Sequence, residues 1–464
     1  MRRRLIRPAS MAGVAGLAIS ALTAAAAAQP AAAAQPAAAA AQPAAAYLAA
    51  GGTHVAEGGT TTPIKHVIVI IGENHSFDNV FATYRPPHGQ HIRNLLSEGI
   101  VTANGQPGPR ARRARQLTAT DTKSYSLRPK ITGAYKTLPR PNTTYVSPAC
   151  DGQPANSPDT RFPANLPNAP YQITKYVPYL DTHSAYGGGC PDTGAYVGDP
   201  LHRFYQMAQQ SLGYAGHLYT WAINTAGDDN GAAVPKPIYQ GGVQMGYYNM
   251  AAGDAPVLKD LARHYAISDN YHQAVQGGTG ANHIALGTGF AASYQNAQGQ
   301  AVAPPANQIE NPNPRPGTNN SYIQDGYSGG SYSECADPSQ PGVGAIDHFL
   351  ASLPYRPMRN CQPGRYYILN NYNPGYNVNG TRNTSSPYTV PPQKTDYHTI
   401  GGELSAHHLS WSYFGQGYNN GNPTSQYCGI CDPMQYSAHI MTNPALRANV
   451  DIALTLFRNG SWAA

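Results

Sequence analysis

The sequence predicts an α/β protein with a mostly parallel central sheet flanked by helices, and three observations carry that prediction. Residues 67–71 (VIVII) are five consecutive β-branched apolar side chains, the composition of a strand buried on both faces. After Ser76 the apolar residues Phe77, Val80, Phe81 and Tyr84 recur at helical spacing, so strand, short polar turn and helix follow one another. A second unit runs through residues 256–289. PVLKDLARHY carries helical periodicity through Leu258, Leu261 and Tyr265, AISDNY reads as a short strand, and a glycine-rich turn leads into ANHIAL, the start of another helix.

Ahead of these units lies a different kind of sequence. MRRRLIR holds four arginines and no acid, and an apolar run of small residues follows, ending near an Ala-x-Ala site. That pattern predicts a secretory signal peptide over residues 1–29. Residues 30–60 are Ala/Pro/Gln-rich and read as a low-complexity linker. No later stretch approaches the roughly 18 apolar residues of a membrane span, so no transmembrane segment is expected once the signal is cleaved. Residues 61–464, roughly 400 residues, exceed the usual single-domain size, although an elaborated α/β domain can reach it; a secreted or periplasmic protein is expected.

Within it, only 12% of residues are charged across the chain, while Gly (48), Pro (41) and Tyr (33) are plentiful. Such a composition predicts long, ordered, tyrosine-lined loops. Residues 302–345 and 371–395 read as surface excursions of this kind. The net charge of +6 includes the leader arginines, and the one basic cluster, Arg110–Arg115, reads as a solvated loop. Charge therefore makes no case for a nucleic-acid partner. The six cysteines, Cys150, Cys190, Cys335, Cys361, Cys428 and Cys431, predict three disulfides in an exported chain; sequence does not fix their connectivity, and pairing of neighbours is the simplest scheme. Cys428-Gly-Ile-Cys431 has redox spacing but no thioredoxin-like unit around it, so a short structural bridge is the expectation.

Ligands of parallel sheets bind beyond the carboxyl ends of the strands, where Glu73 and Asn74 fall. Both offer oxygen ligands to a cation, although most such polar turns are helix caps. Thr279 sits among glycines at the expected start of a helix, whose positive end attracts anions.

Taken together, ENHSFDNVF (73–81), ISDNYHQAVQGGTGANHIALGTG (267–289) and ELSAHHLSWSYFGQGYN (403–419) resemble the bacterial phosphoesterase family. That family includes phospholipases C and acid phosphatases and belongs to the alkaline phosphatase superfamily. The resemblance runs from about Pro63 to about Asn443, in order. It implies an alkaline-phosphatase-like core with long loop insertions. It also implies a metal-dependent phosphoric ester hydrolase acting on phospholipid or a small phosphomonoester. Matched residue by residue, Glu73 and Asn74 would ligate divalent metal (Ca, Mn or Zn), and Thr279 would be the nucleophile. Asn282 would contact phosphate, with His283 and His202 lining the substrate. Ser76 and Asp78 would cap and orient the helix after the site.

Three departures stand out. His75 and His283 occupy positions where many members carry arginine; neutral histidine is a weaker, pH-dependent phosphate donor than the planar guanidinium. The late Asp-Glu-Gly-Gly segment that completes the family's metal site has no counterpart, and no Asp-Glu pair occurs in the sequence. The expectation is a C-terminally truncated chain with half a metal site and an incomplete sheet, whose activity is reduced or lost. The alternative is a non-catalytic exported protein that binds phosphate or glycan.

Overall fold

A computed structural model describes residues 63–72, 75–120, 123–140, 160–177, 201, 203–226, 243–296, 298–314, 332–355, 357, 360–384, 389–390, 398–415 and 427–450. The predicted signal peptide and linker, Glu73, Asn74 and His202 lie outside them, as do Cys150 and Cys190.

The described chain is a mixture of short helices and small sheets. In order come α1 (Phe77–Phe81), β1 (Leu117–Thr120), β2 (Lys130–Ala134), β3 (Tyr171–Gln172), α2 (Phe204–Ala208) and α3 (Tyr219–Ala226). They are followed by β4 (Gly246–Tyr247), α4 (Pro256–His264), α5 (Thr279–Thr288), β5 (Tyr332–Ser333), α6 (Val343–Ala351) and β6 (Tyr367–Ile368). The last are α7 (Ile400–Ala406), α8 (Ala438–Met441) and α9 (Pro444–Arg447). Strands β1 and β2 form an antiparallel hairpin with an irregularity between Thr118 and Ala119. β5 and β6 are antiparallel, and β3 and β4 are parallel. Among the described residues no helix is long and apolar enough to cross a membrane.

Three predicted elements form because local chemistry dictates them. α1 starts at Ser76, whose hydroxyl accepts from the Asn79 amide, while the Asn79 side chain accepts from the Ser76 amide at 2.9 Å: a reciprocal cap. α4 opens on Pro256, whose fixed φ and missing N–H suit a first helical turn. α5 ends at Gly289, whose φ of 71° is the left-handed conformation a helix C-terminus favours.

The two predicted strands differ from expectation. Residues 67–71 are irregular, and their side chains are 49–80% exposed. Residues 266–271 are also irregular and largely exposed. The reason is that a strand of a parallel sheet has no hydrogen bonds of its own. Its ladder comes from neighbours supplied by distant sequence, and no strand of the described residues pairs with either segment. β-branched composition establishes the tendency, not the partner.

A second difference concerns the excursions. Tyr332, Val343, Tyr372, Tyr376 and Val390, all within the segments expected at the surface, are buried. Tyr332 and Tyr372 join Ala281, Ile284, Ile368 and Tyr436 in one core cluster against α5. Rings of Tyr294, Tyr332 and Tyr372 follow one another at centroid spacings of 5.3 Å. Tyrosine carries a large apolar ring, so a Tyr-rich, Leu-poor loop can supply core. Cys335–Cys361 and Cys428–Cys431 are bridged, as neighbour pairing predicts. Arg110, Arg112, Arg113 and Arg115 are exposed on a short turn, as a solvated cluster should be.

Candidate active site

The turn that presents Thr279 is made by close backbone packing. Gly277 and Gly278 lie against the chain leaving β6, residues 369–371. A Cβ on Gly277 would overlap the Leu369 carbonyl oxygen, and one on Gly278 would stand 2.7 Å from the Asn370 carbonyl carbon. Neither glycine needs positive φ; Gly278 has φ −73° and ψ 164°, ordinary extended backbone. The pair is there so that two chains can touch, a use of glycine that sequence shows only as "small". The Gly278 amide donates to the Leu369 carbonyl at 3.0 Å, pinning the turn to that chain.

α5 starts immediately after. Thr279 is its first residue and is 7% exposed. Its hydroxyl makes no hydrogen bond among the described residues. It therefore stands at the positive end of a 10-residue helix, uncommitted to any described partner. His283 is one turn further along and 8% exposed. The spacing of four places it on the same helix face as Thr279.

Asn282, expected at the phosphate, has its amide engaged locally. Its Oδ1 accepts from the Val275 amide at 3.0 Å, and its Nδ2 donates to the carbonyls of Val275 (2.8 Å) and Gly278 (3.2 Å). It bridges both ends of the glycine turn. Below the turn, Tyr436 donates its hydroxyl to the Tyr372 carbonyl at 2.9 Å, and the Cys428–Cys431 loop packs against α5. One residue that sequence reading missed is Asn371. Its Oδ1 accepts from the Gly280 amide at 2.8 Å, and the 91 residues separating the two leave no local signal.

Ser76 caps α1 as expected, and Asp78 accepts from the Leu95 amide at 3.1 Å. The Asp78 carboxyl is raised to about 6, first by burial and then by the charges of Glu98 and Asp269, with the Leu95 hydrogen bond opposing. Its duty is to hold the chain beside α1.

No group of three or more His, Cys, Asp and Glu side chains able to hold a metal ion occurs among the described residues. Glu73 and Asn74, the two candidate ligands, lie outside them, as does His202. The described side chains alone do not constitute a metal centre.

A hydroxyl at a helix N-terminus behind a glycine turn is the kind of site from which phosphoryl groups are attacked. The family model described as Phosphoesterase family matches residues 64–451. The match covers the greater part of the sequence, and the chain belongs to the phosphoesterase family. No curated protein matches it closely enough to count as a relative.

Proposed function

We propose that the chain is an exported, metal-dependent phosphoric ester hydrolase of phospholipase C or acid phosphatase type, with Thr279 as nucleophile. The observation that carries the reading is the placement of Thr279. It is nearly buried, first in α5, and held on a turn with no room for a larger residue on its N-terminal side. In the reaction, Thr279 Oγ1 attacks phosphorus, the ester P–O bond breaks, and the alcohol leaves with a proton. Water then cleaves the phosphothreonine, restoring the hydroxyl and releasing phosphate or phosphomonoester. The α5 N-terminus stabilises negative charge on the phosphoryl oxygens. Asn282 serves by keeping the turn closed, and His283 faces the same side as Thr279.

A divalent ion, Ca, Mn or Zn, held through Glu73 and Asn74 is part of the proposal. Bound, it would supply further counter-charge for the phosphoryl oxygens. The family places the substrate among phosphoesters, and phospholipid and small phosphomonoesters are the two classes proposed. Export is supported by the two disulfides, which persist in oxidising compartments, and by the arginine-then-apolar leader.

The test is hydrolysis of p-nitrophenyl phosphate and p-nitrophenyl phosphorylcholine by the purified chain, with chelator and with each of the three ions. Any turnover is expected to be metal-stimulated, low for want of the late carboxylates, and to fall by at least about 100-fold in Thr279→Ala. Turnover unaffected by that change rejects the nucleophile. Phosphate binding without turnover transfers the chain to the non-catalytic reading.

A further inference from the structure

We infer that Asn371 is a positioning residue of the reactive turn: it caps α5 from outside the helix and thereby fixes where the Thr279 hydroxyl stands. The inference rests on the proposed role of Thr279, and its structural half is separately testable.

A helix normally satisfies its first amides with the side chain of its own N-cap residue, usually Ser, Thr, Asp or Asn. Here the N-cap is Gly278, which has no side chain to offer. Nor could any of those residues replace it, since a Cβ there would meet the Asn370 carbonyl carbon at 2.7 Å. The close approach that shapes the turn thus removes the usual cap. Asn371 restores it: its Oδ1 accepts the Gly280 amide, the second of α5, at 2.8 Å.

The chain that carries that side chain is anchored through the preceding residue. Residues 369–371 follow β6, with a bend at Asn370. Asn370 is bonded to groups other than α5. Its Nδ2 donates to Glu310 Oε2 at 2.8 Å, and its Oδ1 accepts from the Phe204 amide at 3.1 Å, where α2 begins. Glu310 and Asn370 are each 1% exposed and Asn371 6%, so the support is rigid. Asn371 is thus fixed on one side through its neighbour and on the other reaches the residue beside Thr279. Loss of its oxygen frees the first turn of α5 to shift, and displacing a reacting group by about 1 Å can cost on the order of 100-fold in rate.

The experiment compares wild type, Asn371→Ala, Asn371→Leu and Asn371→Asp, with Thr279→Ala as the blank, on p-nitrophenyl phosphate with the most effective ion. Asp keeps an oxygen facing the Gly280 amide; Leu keeps the volume without the acceptor and substitutes for Ala should that variant fail to fold. The expected result is a fall of about 10- to 100-fold in kcat for Ala and Leu, with KM within about twofold, and recovery of most of the loss in Asp. Full kcat in Ala or Leu, or an equal loss in all three, overturns the inference. Hydrogen exchange over residues 277–284 decides the cap without reference to turnover. Faster exchange in Ala or Leu but not in Asp upholds it, and unchanged exchange overturns it. Absence of Thr279-dependent turnover in wild type would reject the phosphoryl-transfer reading, and the exchange result would then stand on the cap alone.

Discussion

At the scale of single residues, the clearest consequence belongs to Asp78. Its carboxyl is raised from an ordinary 3.8 to about 6 by burial, reinforced by Glu98 and Asp269. A group raised on folding binds more protons folded than unfolded between those two values, so its contribution makes stability fall as pH rises from about 4 to about 6. Asp78→Asn keeps an oxygen for the Leu95 amide and removes the titration. Thermal melts should show the variant equal to wild type near pH 4 and more stable at pH 7. A difference that is the same at both pH values would contradict the burial argument. Ser76→Ala, by contrast, should cost about 1 kcal/mol in urea unfolding at any pH, the usual worth of an N-cap.

At the scale of elements, three of the helices were legible and the strands were not; α2, α3 and α6 to α9 had no reading from sequence. α1, α4 and α5 declare themselves through period, caps and Pro256, all local signals. Residues 67–71 and 266–271 read as strands from composition alone, yet pairing depends on partners far along the chain. The Thr279 turn was found from its glycines and motif, but the reason for them was not. They are small because residues 369–371 lie against them, a contact that only the fold reveals. Gly278→Ala should accordingly destabilise by about 1–3 kcal/mol through overpacking against backbone, and abolish turnover with it. Urea unfolding of the variant checks the first statement; a loss below about 0.5 kcal/mol would mean that the two chains separate easily. The buried tyrosines make the same point. Their abundance was plain, but whether a ring faces water or core depends on what packs over it.

At the scale of the whole molecule, the exposed apolar segment carries a prediction about association. Val67, Ile68, Val69, Ile70 and Ile71 are 80%, 72%, 72%, 59% and 49% exposed, a contiguous, uncharged, β-prone stretch of the sort that associates with copies of itself. Val69→Lys should reduce self-association in light scattering at no more than about 0.5 kcal/mol of stability, as surface changes do. A loss of several kcal/mol would show instead that the segment is packed as the buried strand its composition suggests. Removing the Cys335–Cys361 bridge should cost about 3 kcal/mol, because it closes a loop of 26 residues around α6. Matched urea melts of the double serine variant and wild type measure that value.

The contact between Asn371 and Gly280 has a consequence in time as well as in space. Ninety-one residues separate the two partners. A ribosome adding about 5–20 residues per second takes roughly 5–20 s to cover that distance. During that interval Thr279 has been synthesised but the chain that wedges and caps its turn has not, and Tyr436 is later still. The nascent polypeptide therefore carries Thr279 before the residue that caps α5 exists. The turn that presents Thr279 is thus completed only once residue 371 has been synthesised.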